Sequence, residues 1–462
     1  MAAPPQRERL TMKNVSLYVR ELLFTMAVLS VSCSCDFPLT STGRGEPVPT
    51  IQTDIVIQQQ GVYQGPICNF ILENNYLFLH STNHVQKYDL VDKRVLWSKY
   101  ENDIFPHPDT DVNIGITDLI DDTFLYKTAV EYSNREYKNG YIIMINKNDG
   151  TVNKRIRLLD KKYPNDFKLT KYNNYLFFGY NMLNDQLRDG FGYIDLTELK
   201  NDTESGEPNA YTASVHIIRE IPAYCSALMG VRSFPGDQYG YVVWYEYEDK
   251  VAPGDENMPR HGIAAINLEK AQIAWEDTSY KAGRPADIEL ITDKLIFAFE
   301  YDKTIGKRGA AVYEKETGKK IKNIWNVWSA CKDYIWDESN KRIYLTTGTA
   351  IEEFPNVAAI YCLDAETGNI IWSRYRDRSE PQIGMQPQVR NGVLYVPTSR
   401  YLELYDANTG KPLGRDPRVW GDGENFGDSA VWNDIILFHD GANTLYGVKM
   451  NWKIVNGQLV KE

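Results

Sequence analysis

Asp109, Asp111 and Asn113 alternate along the chain as the oxygen ligands of a calcium loop do. Gly115 then falls one position late, and Ile120 stands where a bidentate Glu is required, so residues 108–115 read as a turn-rich loop. The six histidines (His80, His84, His107, His216, His261 and His439) have no zinc-ligand spacing. His80 and His84 flank a strand-to-strand turn and read as structural. No G-x-S-x-G elbow, H-E-x-x-H pair or phosphate loop is present. The Gly-rich stretch 421–427 lacks the Lys-Ser/Thr and the strand-to-helix setting that a phosphate cradle needs, and reads as a connection. The expectation is of no catalytic residue, no metal site and no cofactor.

The six cysteines point to location before chemistry. Residues 22–32, LLFTMAVLSVS, form a charge-free apolar run of signal-core length, too short to span a bilayer. Lys13 and Arg20 precede it, and Ser30 and Ser32 lead to Cys33. The arrangement resembles a bacterial lipoprotein signal with Cys33 as the acylated residue and Cys35 as the second choice. Leu29 is one position too far from Cys33 for the usual pattern, and Glu21 crowds the apolar core. Residues 1–35 are thus expected to be a lipoprotein-type signal region. Residues 36–52, rich in Ser, Thr, Gly and Pro, are expected to be a flexible tether. Cys331 and Cys362 fall on first and third strands of one blade, too far apart to bridge, and most cysteines read as buried thiols.

The net charge of −11 falls to −13 when the four basic and two acidic residues of 1–35 are removed. Nucleic acid needs a basic face, so it is excluded as a partner. With 31 Tyr and 10 Trp and few long helix-forming runs, the composition favours strands.

What must position any site is a recurring hairpin. In YCLDAETGNIIW, residues 361–372, Asp364 can cap a turn, Gly368 can take positive φ, and Trp372 follows Asp364 by eight residues. LYDANTGKPLG repeats Asp406 and Gly410, with Gly414 at the Trp position; VYEKETGKKIK gives Glu314 and Gly318, with Lys322 there. Asp89 and Trp97 keep the spacing without the glycine; Asn267 precedes Trp275; Asn146 and Gly150 form a sixth copy. Trp97, Trp275, Trp325 and Trp372 are expected to pack between blades.

The pattern, roughly A-x-D-x-x-T-G-K-x-x-W, resembles the PQQ-type β-propeller repeat, and the resemblance covers nearly the whole chain from about residue 53. It implies an all-β fold: a single propeller, 53–462, of about eight four-stranded blades, or seven if the divergent third or eighth unit is incomplete. Residues 53–59 would supply an outer strand to the last blade and close the ring. Enzymes of the family carry a vicinal Cys-Cys disulfide, a Trp on the quinone and acidic and amide ligands for Ca²⁺. This chain has no adjacent cysteines. The closer resemblance is to the non-enzymatic, BamB-like lipoprotein branch, which implies a scaffold in outer-membrane protein assembly.

Five consecutive blades carry long connections between second and third strands: 131–140, 180–190, 248–262, 301–309 and 349–357. Such loops emerge on one face of a propeller, giving a candidate binding rim with Tyr132, Tyr137, Tyr180, Met182, Met258 and Phe354, or else simply tolerated insertions. The stretch 196–212 should project from the opposite face. The leading expectation is a non-catalytic, lipid-anchored envelope scaffold, on the outer rather than the inner membrane, with an unidentified envelope protein as partner and membrane contact through the lipid alone. The alternatives are a PQQ/Ca²⁺-dependent dehydrogenase or other enzyme using the central channel, and a surface module for glycans or peptides.

Overall fold

The computed structural model describes residues 48–60, 69–80, 84–105, 111–114, 121–133, 136–160, 162–164, 169–182, 188–205, 208–222, 225–226, 229–234, 236–247, 261–280, 288–302, 307–325, 331–347, 359–375, 386–398, 400–417, 429–439 and 444–462. The expected signal region 1–35 and most of the tether lie outside these residues. No described helix is long and apolar enough to cross a membrane.

The strands form eight sheets of four or more strands, the eight blades of a propeller. Blade 1 is Asn69–Glu73, Tyr76–His80, His84–Asp89 and Arg94–Tyr100, an antiparallel meander in which each strand pairs with the next. Blades 5, 6 and 7 repeat it plainly, ending in Lys320–Trp325, Ile370–Tyr375 and Pro412–Asp416. Blade 3 has a split first strand: Lys162–Pro164 and Thr170–Tyr172 both pair with Tyr175–Met182. The third and eighth units are both complete, so the count is eight.

Two local devices make the meander. At the turn between first and second strands, Asn74, Asn173, Asn391 and Asn433 take positive φ, which Asn tolerates best after Gly. At the turn between third and fourth strands a carboxylate caps backbone N–H groups. Asp364 Oδ1 accepts from the N–H groups of Glu366 (3.0 Å) and Thr367 (2.7 Å). Asp406 and Asp89 do the same at their turns. Partial burial would raise the Asp364 carboxyl, but its bonds to Thr367 outweigh this and hold it below the usual range.

The core consists of layers between blades. The inner strands are apolar on both faces, and each face meets a neighbour: Phe78 and Val85 of blade 1 pack on Leu125 and Ile143 of blade 2. Every one of the eight junctions has such a cluster, including the closing one, where Ile57, Leu437 and Leu445 meet Leu77, Leu79 and Tyr88.

Closure comes from the N-terminal side, as the sequence predicts. Asp54–Gln60 pairs antiparallel with Thr444–Lys449 and is the fourth strand of blade 8. Residues 49–53, at the end of the stretch expected to be a tether, are bonded to blade 7. Pro49 O accepts from Arg415 N (2.8 Å), Ile51 N donates to Arg415 O (2.9 Å), and Thr53 N and Oγ both donate to the buried Asp416 (2.7 and 2.6 Å). Gly414 makes room: a Cβ there would lie 2.6 Å from Ile51 Cγ2. A terminal hairpin, Trp452–Val455 and Gln458–Lys461, turns on Asn456-Gly457, both at positive φ. It lays Trp452, Ile454 and Leu459 on the core between blades 7 and 8.

The stretch 196–212 does not simply project from the face opposite the rim. Ala210–Ala213 runs parallel to Val152–Leu158, and Lys200–Asn201 pairs with it in turn, so blade 2 becomes six-stranded. Arginines on the blade edge explain the docking. Arg157 grips the buried Asp202 through two bonds (2.7 and 2.9 Å), and Arg155 donates to Pro208 O (3.1 Å). Hydrogen bonding from Arg157 holds the Asp202 carboxyl below its ordinary value of 3.8. Arg157→Ala should weaken docking by about 3 kcal/mol, stranding a buried carboxylate. Hydrogen exchange should show lost protection at Ala210–Ala213 with the strand Glu136–Asn146 unaffected. Since the folded pKa is depressed, the pair contributes fully above the ordinary carboxylate range. Wild-type protection should therefore fall toward the variant's as pH drops below about 4.

Candidate functional site

Trp97, Trp275 and Trp372 share one geometry. Each indole N–H donates to a carbonyl of the next blade's turn: Lys147 O (3.2 Å), Lys315 O (3.1 Å) and Ala407 O (3.0 Å). Each ring lies on the glycine of that turn. A Cβ on Gly150, Gly318 or Gly410 would come within 2.8, 2.3 or 2.6 Å of the indole. The glycine therefore meets two demands at once, positive φ (72°, 67° and 70°) and clearance for the ring. Gly368 also has positive φ, but Lys322 faces it and bonds Asn369 (2.5 Å). Trp325 ends the fourth strand of blade 5 opposite Gly309, and its side chain lies outside the described residues. Sequence reading paired each Trp with its own turn; the receiving glycine one repeat later was the signal it missed.

The long connections of blades 2, 3 and 5 are continued strands. Phe124–Ser133 and Glu136–Asn146 stay paired out to Ser133 and Glu136. Leu295–Asp302 and Lys307–Glu314 stay paired out to Asp302 and Lys307, and Tyr175–Met182 is met by Arg188–Asp195. Tyr132 and Tyr137 are opposed in this register. The side chains of Tyr132, Tyr137 and Met182, and all of Met258 and Phe354, lie outside the described residues. Tyr180 is a correction: it is fully buried in the core between blades 2 and 3, and a Cβ on Gly190 would be 2.5 Å from its hydroxyl. Its strand alternates, with Leu176, Phe178 and Tyr180 all facing inward, so it cannot line a rim.

The docked insertion leaves a cleft of about 360 Å³ lined by Leu159, Asp195, Glu198, Lys200, Thr212, Ala213 and Ser214. Glu198 also bonds His216 (2.9 Å), whose ring stacks on Tyr193 at 4.8 Å. Asp195 is committed to its own turn through Thr197.

No three of His, Cys, Asp and Glu among the described residues converge as metal ligands. Cys362 is a free, buried thiol, pushed up to about 12 by burial.

No protein-family model matches the chain, and no curated protein matches it in sequence. Among solved structures it is similar to a europium-containing methanol dehydrogenase, at 12% identity and a TM-score of 0.50 over 87% of this chain and 85% of that one. It is also similar to BamB from Moraxella catarrhalis, at 11% identity and a TM-score of 0.47 over 86% of this chain and 100% of that one. The likeness is of fold. A fold that hosts a dehydrogenase hosts other work too, so activity must be argued from sites.

Proposed function

We propose that this chain is a non-catalytic scaffold of a bacterial envelope, held at the outer membrane by a lipid on Cys33 and capturing a protein partner on its hairpin rim. The observation that supports it is the shared elongation of second and third strands in blades 2, 3 and 5. Paired strands hold the stems of these insertions, so binding costs less ordering than a loose loop would. Assembly of outer-membrane proteins is the process to which the repeat's resemblance points.

The test shortens the rim without touching the blades: residues 132–138 and 302–307 are each replaced by Asn-Gly, which suits a two-residue hairpin turn. Envelope crosslinking should capture a partner with the wild type and lose at least about tenfold of it in the double variant, a loss of about 1.4 kcal/mol or more. Undiminished capture would refute the rim. Cys33→Ala should move the chain to the soluble fraction; retention would shift acylation to Cys35 or remove it from the proposal. Saturable PQQ and Ca²⁺ binding with dye reduction would replace the scaffold with an enzyme.

A further inference from the structure

At the seam between blades 1 and 2, on the rim side of the strands, two basic side chains are buried together. His80 ends the strand Tyr76–His80 and is fully buried, and neither of its ring nitrogens has a hydrogen-bond partner. Two residues before it, Phe78 packs on Leu125 and Ala129 of blade 2. Side chains alternate along a strand, so His80 faces blade 2. Lys127 stands between Leu125 and Thr128 on the opposing strand Phe124–Ser133 and is fully buried as well. His84 lies on the other face of blade 1, next to Val85, with Nε2 bonded to Ser98 Oγ (2.6 Å) and its ring stacked on Tyr100 at 4.6 Å, and acts on His80 only through its charge.

A buried imidazole with two idle nitrogens is costly, since each loses its bond to water and gains nothing. Packing alone would have placed an apolar ring here, as Phe78 is two positions earlier. The charges acting on His80 are both basic. Burial, then Lys127 and His84, holds its imidazole well below the ordinary histidine range. Burial and Lys127 bring His84 to about 4. A site of this kind is satisfied by a ligand that accepts hydrogen bonds and carries negative charge.

We propose that His80 and Lys127 form a binding site for a small oxyanion, inorganic phosphate or a free carboxylate, in the seam between blades 1 and 2. The anion takes an N–H from His80 and the field of Lys127, and it ties the two blades together at the base of the rim. The site lies apart from the hairpin tips, so it stands whether or not they capture a partner.

The experiment titrates the complete mature protein with sodium phosphate, sodium acetate or sodium chloride at matched ionic strength. It reads the unfolding midpoint and the imidazole ¹⁵N resonances. Phosphate or acetate should raise the midpoint saturably and shift the His80 signals, and chloride should do neither. Whichever oxyanion acts at the lower concentration names the class. In His80→Phe, which keeps the ring and removes both nitrogens, and in Lys127→Met, the apparent affinity should fall about tenfold or more. His80 signals in the wild type that ignore both oxyanions would overturn the site, as would equal responses to chloride or an undiminished response in the variants.

Discussion

A chain that starts at residue 61 is expected to fail to close. It lacks the fourth strand of blade 8, so Thr444–Lys449 becomes an open edge, and Leu77, Leu79 and Tyr88 lose Ile57. It also lacks Thr53 for the buried Asp416, and Asp54 for Asn451 and Lys461. Exposed edges pair with other chains, so the truncated protein should elute as aggregates by light scattering, with no cooperative melt. A milder probe is Ile57→Ala, which empties a buried position and should cost about 2–5 kcal/mol in denaturant unfolding. A monomeric truncated chain that melts as the wild type does would show that the N-terminal strand is dispensable.

The second large effect belongs to the indole–glycine contacts. Trp372→Ala should cost about 3–5 kcal/mol, as a large buried ring is lost together with its bond to Ala407 O. The contact itself is tested by a cycle at the junction of blades 4 and 5. Gly318→Ala alone must bear a left-handed backbone, about 1–2 kcal/mol, and a Cβ pressed on Trp275. With Trp275→Ala in place only the backbone cost should remain. The two substitutions together should therefore cost less than their separate effects added, as unfolding free energies will show. Strict additivity would mean that the ring does not press on the glycine.

What was legible in the sequence was local. Asp364, Gly368 and Trp372 fall within nine residues, so turn chemistry and strand pattern could be read together, and the repeat gave the blades. The acceptors of the indole bonds lie 50, 40 and 35 residues away, so only a comparison between successive repeats could have found them. Tyr180 was misread because connection length was weighed above the alternation of Leu176, Phe178 and Tyr180. Ala210–Ala213 gave no warning either: a four-residue stretch, Ala-Tyr-Thr-Ala, docks where the arginines of another strand admit it. His80 looked structural in sequence, since an idle imidazole is visible only once its surroundings are in place.

The strand that closes blade 8 also sets the route of mechanical load. Tension applied to the chain before residue 48 arrives first at the two backbone bonds to Arg415, then at Thr53 and Asp416, and only afterwards at Asp54–Gln60. Asp54 is itself tied to the last strand through Lys461. A pull from the N-terminal side is thus borne first by the outer strand of blade 7 and only then by blade 8 and the C-terminal hairpin. The ring's seam doubles as its strain relief.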